Sequence, residues 1–369
     1  MNRQYFVGVL VPNCNAGGTE RIAQIFAEYL IKLNYEIVII SMAKKKLPYK
    51  INCKFETIDN NLPSGKLSRL LYRYKSLKNI VSRHRIDVMI SMGEYPNMLC
   101  ALLDRKILKI NRLTNSKTSL SGCKGLVTKC LMKMCFHLTN FTIVPTTRLA
   151  KELGLYSKKN KILSIPNPIN IGNLVKLSQE DNQELNRFQQ PYFLHVGQLV
   201  FQKDHETLIK SYALYRKAGG ELKLILVGKG ELESEIRNLL KKYGLEEYVI
   251  LYGWSNNPAP LIRNARALVL TSRWEGMPNV ILEAMALGCP IISSNCPTGP
   301  EEMLSFGEYG RLFDIGDTQS LAKELYQFDT NKDWQFYWGL QAKKRSEAFE
   351  DQKVFAPLIR VLTKDNVVA

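Results

Sequence analysis

RWEGMPNVILEAMALGCPIISSN, residues 273–295, sets two carboxylates, Glu275 and Glu283, around what reads as the start of a helix. Pro278 suits the first helical turn, where its missing N–H is one the helix leaves unused anyway. Gly288 suits the left-handed residue that ends a helix. ARALVLTS (265–272) before this segment and PIISSN (290–295) after it read as buried strands. A strand–loop–helix–strand order predicts a parallel sheet, with ligands bound beyond the carboxyl ends of its strands. A helix over 278–287 leaves the N–H groups of Gly276, Met277, Pro278's successor Asn279 and Val280 facing outward, an anion site by dipole and by donor. Glu283 is the only ionisable residue between Asn279 and Leu287. A carboxylate held among Val280, Ile281, Leu282, Ala284 and Met285 requires a donor. The two hydroxyls of a ribose would supply one; so would an arginine. Glu275 either faces whatever the phosphates carry or is a solvated loop acid.

Working outward, the same grammar recurs. PYFLHVGQLV (191–200), ELKLILVGKG (221–230) and YVILYGW (248–254) read as strands ending in glycine turns, each leading to a helical run. In the first half, YFVGVLVP (5–12) leads through NAGGTE (15–20) to a helix and then EIVIISM (36–42), with further strands at IDVMISM (86–92) and FTIVPT (141–146). IPNPINIGNL (165–174) breaks the periodicity and marks a linker. The 369 residues exceed one ordinary core. The expected organisation is α/β, with an N-terminal domain over 1–168 and a C-terminal domain over 169–347. A terminal helix over 348–369 would pack back on the first domain.

Composition excludes several classes. No apolar run of about 18 residues spans a membrane, and MNRQYFVGVLVPN reads as a first strand rather than a leader. The eight cysteines form no CxxC pair and the four histidines no ligand spacing, so a zinc or disulfide framework is not expected. Charge is lopsided: residues 1–170 hold 28 Lys+Arg against 9 Asp+Glu, and the remainder 23 against 25. The first half therefore faces something anionic. SGKLSRLLYRYKSLKNIVSRHR (64–85) carries seven cations and no acid, with Leu67, Leu70, Leu71, Tyr74, Leu77 and Val81 on one stripe. It is either a core-packed helix with a solvated basic face or a surface for anionic lipid. No helix-turn-helix, zinc finger or aromatic-interleaved basic pattern supports nucleic acid as the partner.

EGMPNVILEA, with seven residues between Glu275 and Glu283, resembles the signature of the retaining glycosyltransferases of the GT-B fold, the glycosyl transferases group 1 family. HVGQLVFQKDHETLIKSY, LILVGKGELES, GCPIISSNCPTGPEEML and NAGGTERIA are similar to its other motifs in order. The resemblance implies two Rossmann-like domains facing each other across a cleft, and a nucleotide-diphosphate sugar, UDP-linked, as donor. It implies catalytic roles for Glu275 at the donor sugar and Lys203 at the diphosphate, and ribose contacts for Glu283. The donor side would be completed by Gly197, Gln198, Gly228, Gly230, Gly253, Trp254, Gly276, Met277, Pro278, Asn279 and Val280. The acceptor side would hold Gly17, Gly18, Thr19, Arg112 and Asn115.

Two departures stand out. Gln198 occupies a position where the family usually has arginine, and KINRLTNSK (109–117) lacks the histidine some members place beside the reacting carbon. No DxD motif occurs, which implies metal-free catalysis with no cofactor. The expected activity is transfer of a hexose or N-acetylhexosamine to a lipid-linked glycan for surface polysaccharide, O-antigen or capsule, by an enzyme peripheral on the inner face of the cytoplasmic membrane. The alternatives are an epimerase on the same fold, and a non-catalytic membrane-peripheral or nucleic-acid-binding protein. Salt-dependent DNA binding, or vesicle binding indifferent to nucleotide, would favour the latter two.

Overall fold

A computed structural model of the chain describes residues 5–12, 18–43, 51–58, 62–113, 132–152, 161–180 and 191–363, with Cys130 and Gly154. The chain divides into two compact units: Met1–Pro168 with Val354–Ala369, and Ile169–Lys353.

Among the described residues, the first unit is built on a seven-stranded sheet in the order β3–β2–β1–β4–β5–β6–β7. The strands are β1 Phe6–Val11, β2 Glu36–Ser41, β3 Lys54–Thr57, β4 Val88–Met92, β5 Leu108–Arg112, β6 Phe141–Val144 and β7 Ile162–Ser164. All pairings are parallel, with Val9 opposite Ile39 on one side and Ile90 on the other. Parallel sheets are covered on both faces, so the central strands are continuous apolar runs: Val7, Val9, Leu10, Val88, Met89 and Ile90 are fully buried. The helix Gly18–Lys32 covers one face with Ile22, Phe26 and Leu30. The helix Lys66–Arg83 belongs to the other, through Leu77, Ile80 and Val81. The full stripe expected of this helix is not buried: Leu67 and Leu71 remain 70% and 52% exposed.

The second unit carries a six-stranded sheet in the order β10–β9–β8–β11–β12–β13, again parallel throughout. Its strands are β8 Tyr192–Val196, β9 Lys223–Val227, β10 Val249–Gly253, β11 Ala267–Leu270, β12 Ile291–Ser294 and β13 Arg311–Phe313. Both units are Rossmann-like, and both sheets reverse their winding beside their first strand: at β1/β4 in one and β8/β11 in the other. Such switch points are where open α/β sheets leave a crevice at the carboxyl ends of the strands.

The terminal helix Asp351–Thr363 belongs mostly to the first unit. Phe355 meets Phe26 edge-on and stacks on Tyr29, with ring centroids 4.5 Å apart in both pairs. Val354, Leu358 and Leu362 complete that core. The second unit extends to Lys353 rather than ending at 347. The cause is local: Ile169 N–H donates to Phe349 O at 2.8 Å, and Ile169 bridges Glu350.

Candidate functional site

The switch point of the second unit brings together residues far apart in sequence. Lys203 follows β8 and Glu275 follows β11, the two strands that flank the reversal. Lys203 Nζ donates to Glu275 Oε1 at 2.5 Å, and their side chains are 15% and 8% exposed. Ser272 Oγ donates to the same oxygen at 2.7 Å, and Gln202 Nε2 to Oε2 at 3.3 Å. Glu275 is therefore a buried, multiply bonded carboxylate and not a solvated loop acid. Gly197 makes the approach of Lys203 feasible: a Cβ there would lie 3.3 Å from Lys203 Cε and 3.3 Å from His195 Nε2.

The two loops are braced against each other. Arg273 N–H donates to Gln202 O, Thr271 Oγ1 to Lys203 O and Gln202 Nε2 to Trp274 O, each at 2.8 Å. Arg273 Nη2 reaches Asp204 Oδ1 at 2.7 Å, and its guanidinium lies 4.3 Å from the Phe201 ring centroid. Asp204 sits at φ 51°, in the left-handed region, and caps the helix His205–Lys217 through Thr207. Its buried carboxylate has donors from both sides, which offsets the strain of that backbone. From the far side, Thr298 Oγ1 donates to Glu275 O. Gly299 packs so closely that a Cβ would lie 2.5 Å from Gly276 O.

The helix of the quoted stretch runs Asn279–Leu287; Pro278 is its cap residue (ψ 117°), not its first helical residue, and offers no side-chain cap. Ile281 N–H turns back to Pro278 O at 3.1 Å, closing the first turn of the helix on its cap residue. Gly288 ends the helix in the left-handed region at φ 69°. Gly339, on the helix Lys332–Ser346, packs against that end: a Cβ there would lie 2.5 Å from Gly288 O. Glu283 is 5% exposed amid Ile281, Leu282, Ala284 and Met285. It is not left without a partner inside the protein, so its burial by itself does not require a ligand.

The remaining glycines join neighbouring loops. A Cβ on Gly228 would lie 1.8 Å from Gly197 O, and one on Gly230 2.2 Å from Leu199 O. Gly228 N–H donates to Gly253 O at 2.8 Å. These contacts draw the turns after β8, β9 and β10 together. Gln198 is exposed beside them. Trp254 is 47% exposed, its Nε1 donating to Asn256. Met277 and Pro278 are buried, and Asn279 and Val280 half-buried.

Sequence reading missed two features of this site. One is the support given to Lys203 and Glu275 by Gln202, Asp204, Ser272 and Arg273; the other lies beneath it. His195 and His205 are buried with ring centroids 4.9 Å apart. His195 Nδ1 lies 2.9 Å from Val269 O, which fixes the proton on that nitrogen. His195 Nε2 and both nitrogens of His205 have no hydrogen-bond partner among the described residues. Burial pushes His205 down to about 4, helped by the nearby Lys203 charge. His195 lies well below the ordinary histidine range, through burial, then His205, then Lys203.

On the expected acceptor side, Gly17 and Asn115 lie outside the described residues. Gly18 and Thr19 open the helix after β1, at the switch point of the first unit. Glu20, in the same turn, is buried, and its carboxyl is raised by that burial. Arg112 is not an open wall but a buried side chain, 2% exposed. It donates to Ile165 O at 3.2 Å and to Asn167 Oδ1, and lies 5.1 Å from the Phe26 ring centroid. Burial lowers it to about 9. Among the described residues, no group of three or more His, Cys, Asp or Glu could hold a metal ion.

Profiles of two families match the chain: "Glycosyl transferases group 1" over residues 178–345 and "Glycosyltransferase Family 4" over residues 16–173. An uncharacterized glycosyltransferase of Methanocaldococcus jannaschii is 31% identical over 290 residues, covering 70% of both chains. The N-acetylgalactosamine-N,N'-diacetylbacillosaminyl-diphospho-undecaprenol 4-alpha-N-acetylgalactosaminyltransferase of Campylobacter jejuni is 26% identical, covering 96% of this chain and 99% of its own. Among solved structures, HepE of Anabaena in complex with UDP and glucose superimposes with a TM-score of 0.81 at 17% identity, over 98% of this chain and all of its own.

Proposed function

The chain belongs to the glycosyl transferases group 1 family, and from that premise we propose a retaining transferase that moves a hexose or N-acetylhexosamine from a UDP-sugar to a lipid-linked glycan. The observation that carries the reading is the pairing of a cation, Lys203, with a buried carboxylate, Glu275, at the switch point of the second sheet. Lys203 would meet the diphosphate as negative charge grows on it, and Glu275 would accept from hydroxyls of the donor sugar. Backbone N–H groups around Gly276 and Met277 would hold the phosphates, and Glu283 the ribose. The bond from the anomeric carbon to the diphosphate oxygen breaks while the acceptor oxygen adds on the same face. The acceptor proton passes to the departing phosphate oxygen, so neither a metal nor a second carboxylate is required. The UDP-bound relative with the same fold and the Campylobacter enzyme, named for an undecaprenol-linked acceptor, favour this donor and this acceptor class. A role in bacterial surface polysaccharide follows from the same acceptor chemistry.

Thermal unfolding with UDP, GDP, ADP and their sugars tests the donor. A ligand at 100 times its dissociation constant stabilises by about 2.7 kcal/mol, and uridine nucleotides are expected to give the largest shift. NMR of the product tests the stereochemistry: an α-configured donor yields an α-linked product, and a β-linkage refutes retention.

The basic first unit would take the acceptor at an anionic membrane surface. No described helix is long and apolar enough to cross a membrane. The helix Lys66–Arg83, however, exposes Leu67 and Leu71 among cations, the composition of an interfacial helix. The protein is expected to sediment with phosphatidylglycerol vesicles and not with phosphatidylcholine alone. Replacing Leu67 and Leu71 together by glutamate should weaken binding about tenfold. Equal binding to neutral vesicles rules this surface out.

A further inference from the structure

We propose that Glu275 withholds Lys203 from a spent nucleoside diphosphate and releases it to a complete sugar donor, so that the Lys203–Glu275 pair sets the preference for donor over product. This rests on the donor reading above and goes beyond it. Lys203 Nζ sits 2.5 Å from Glu275 Oε1, with both side chains largely buried. A phosphate that recruits Lys203 must therefore compete with a carboxylate already bonded to it. Breaking such a pair leaves a poorly solvated charge behind, which is costly unless another donor replaces the lost one. Ser272 and Gln202 remain on Glu275 when Lys203 turns away, but the cation does not.

The two ligands differ in what they offer in return. A nucleoside diphosphate takes Lys203 and gives Glu275 nothing. A nucleoside-diphosphate sugar takes Lys203 and presents hydroxyl donors where the ammonium stood. The same ion pair thus costs the product more than the donor. The exchange is confined to side chains, because the loops that carry them are fixed. Arg273 N–H on Gln202 O, Thr271 Oγ1 on Lys203 O, Gln202 Nε2 on Trp274 O and the Asp204–Arg273 ion pair hold the two backbones in register. Gly197 leaves open the space over the Lys203 stem, where a Cβ would lie 3.3 Å from Cε.

The test is a cycle of Glu275→Gln, Lys203→Gln and the double variant, read by calorimetric titration with UDP and with UDP-glucose, UDP-galactose and their N-acetylated forms. If the pair holds Lys203 back in all but about a tenth of molecules, freeing it tightens UDP about tenfold. The UDP-sugar should gain less, because it loses its acceptor at Glu275, so the ratio of UDP to UDP-sugar dissociation constants should fall. In the Lys203→Gln background, Glu275→Gln should leave UDP affinity within about twofold, since no pair remains to break. The proposal is overturned by UDP affinity that is unchanged or weaker in Glu275→Gln. It is equally overturned by a gain that persists without Lys203, which marks a general charge effect, or by equal gains for UDP and its sugar. Should Glu275→Gln fail to fold, Glu275→Met reads the same release. If the unmodified protein binds no nucleoside diphosphate from a UDP, GDP, ADP and dTDP panel, the donor reading itself falls, and this one with it.

Discussion

Lys203→Ala is expected to lower sugar transfer by about 10²–10³-fold, the cost of removing one preorganised group that meets developing charge in a water-poor site. The loss should appear in kcat more than in KM for the donor, because the ammonium acts most strongly when the diphosphate leaves. Two features make the effect large here. Gln198 offers a dipole and adds no charge. And Lys203 is preplaced: Gly197 leaves room beside its stem, Thr271 holds its carbonyl at 2.8 Å, and the next residue, Asp204, is anchored to Arg273 at 2.7 Å. Its alanine variant also leaves Glu275 short of one donor, so transfer must be read beside the unfolding transition. Lys203→Arg keeps the charge but needs more room against Gly197, and should restore only part of the rate. A Lys203→Ala variant with kcat within threefold of the parent's would remove the lysine from the chemistry. Gln198→Arg is the complementary probe in the same assay: if charge at the diphosphate is limiting, it restores part of what Lys203→Ala loses.

The quoted stretch disclosed the second unit because several levels of physics agree there. ALVL of β11 is apolar on both faces, as a central parallel strand must be; Gly288 takes the left-handed cap; and after Asn279 the helix between is apolar except for Glu283. Four strands escaped the reading, for two reasons. β3, β7 and β13 are short edge strands, with half-exposed residues such as Phe55, Ile162 and Leu312, and edges are set by pairing rather than by pattern. β5 is central but carries Lys109, Asn111 and Arg112, all buried, so it shows no apolar run by which a strand is read. Lys109 is tolerated because Nζ donates to Leu103 O at 3.0 Å and Ala101 O at 3.3 Å, and Arg112 because Ile165 and Asn167 receive it. These partners come from distant segments and leave no local periodicity. The same holds for the site. Glu275 and Lys203 were each visible as motif residues, but their contact across 72 positions exists only because the sheet reverses between β8 and β11. The Asp204–Arg273 brace has the same origin.

The second unit should lose stability on acidification from pH 6.5 toward 4, by about 3 kcal/mol from His205 alone. The folded protein holds this imidazole at about 4, against 6.5 for the free side chain. Between those values the unfolded chain binds a proton that the folded one refuses, so stability rises with pH across the window and falls as acid is added. Above pH 6.5 the group is neutral in both states and contributes nothing to the slope. The physical cause is burial, with both ring nitrogens unpartnered among the described residues, and Lys203 adds its charge nearby. His195 shifts in the same direction and is also fully buried, so it steepens the same limb. Nearby Asp204 does not rescue a protonated ring, since its oxygens are taken by Thr207 and Arg273. Urea unfolding at a series of pH values, followed by tryptophan emission, measures the slope. His205→Phe should lower it by close to one proton between pH 6.5 and 4, whatever its effect on stability at pH 8. An unchanged slope would mean that the ring finds a proton acceptor in the folded protein. The same charge balance bears on the site above: an imidazolium under Lys203 would set two positive charges against each other where the proposed diphosphate would bind, and the neutral pair leaves the lysine's charge to Glu275 and to that ligand.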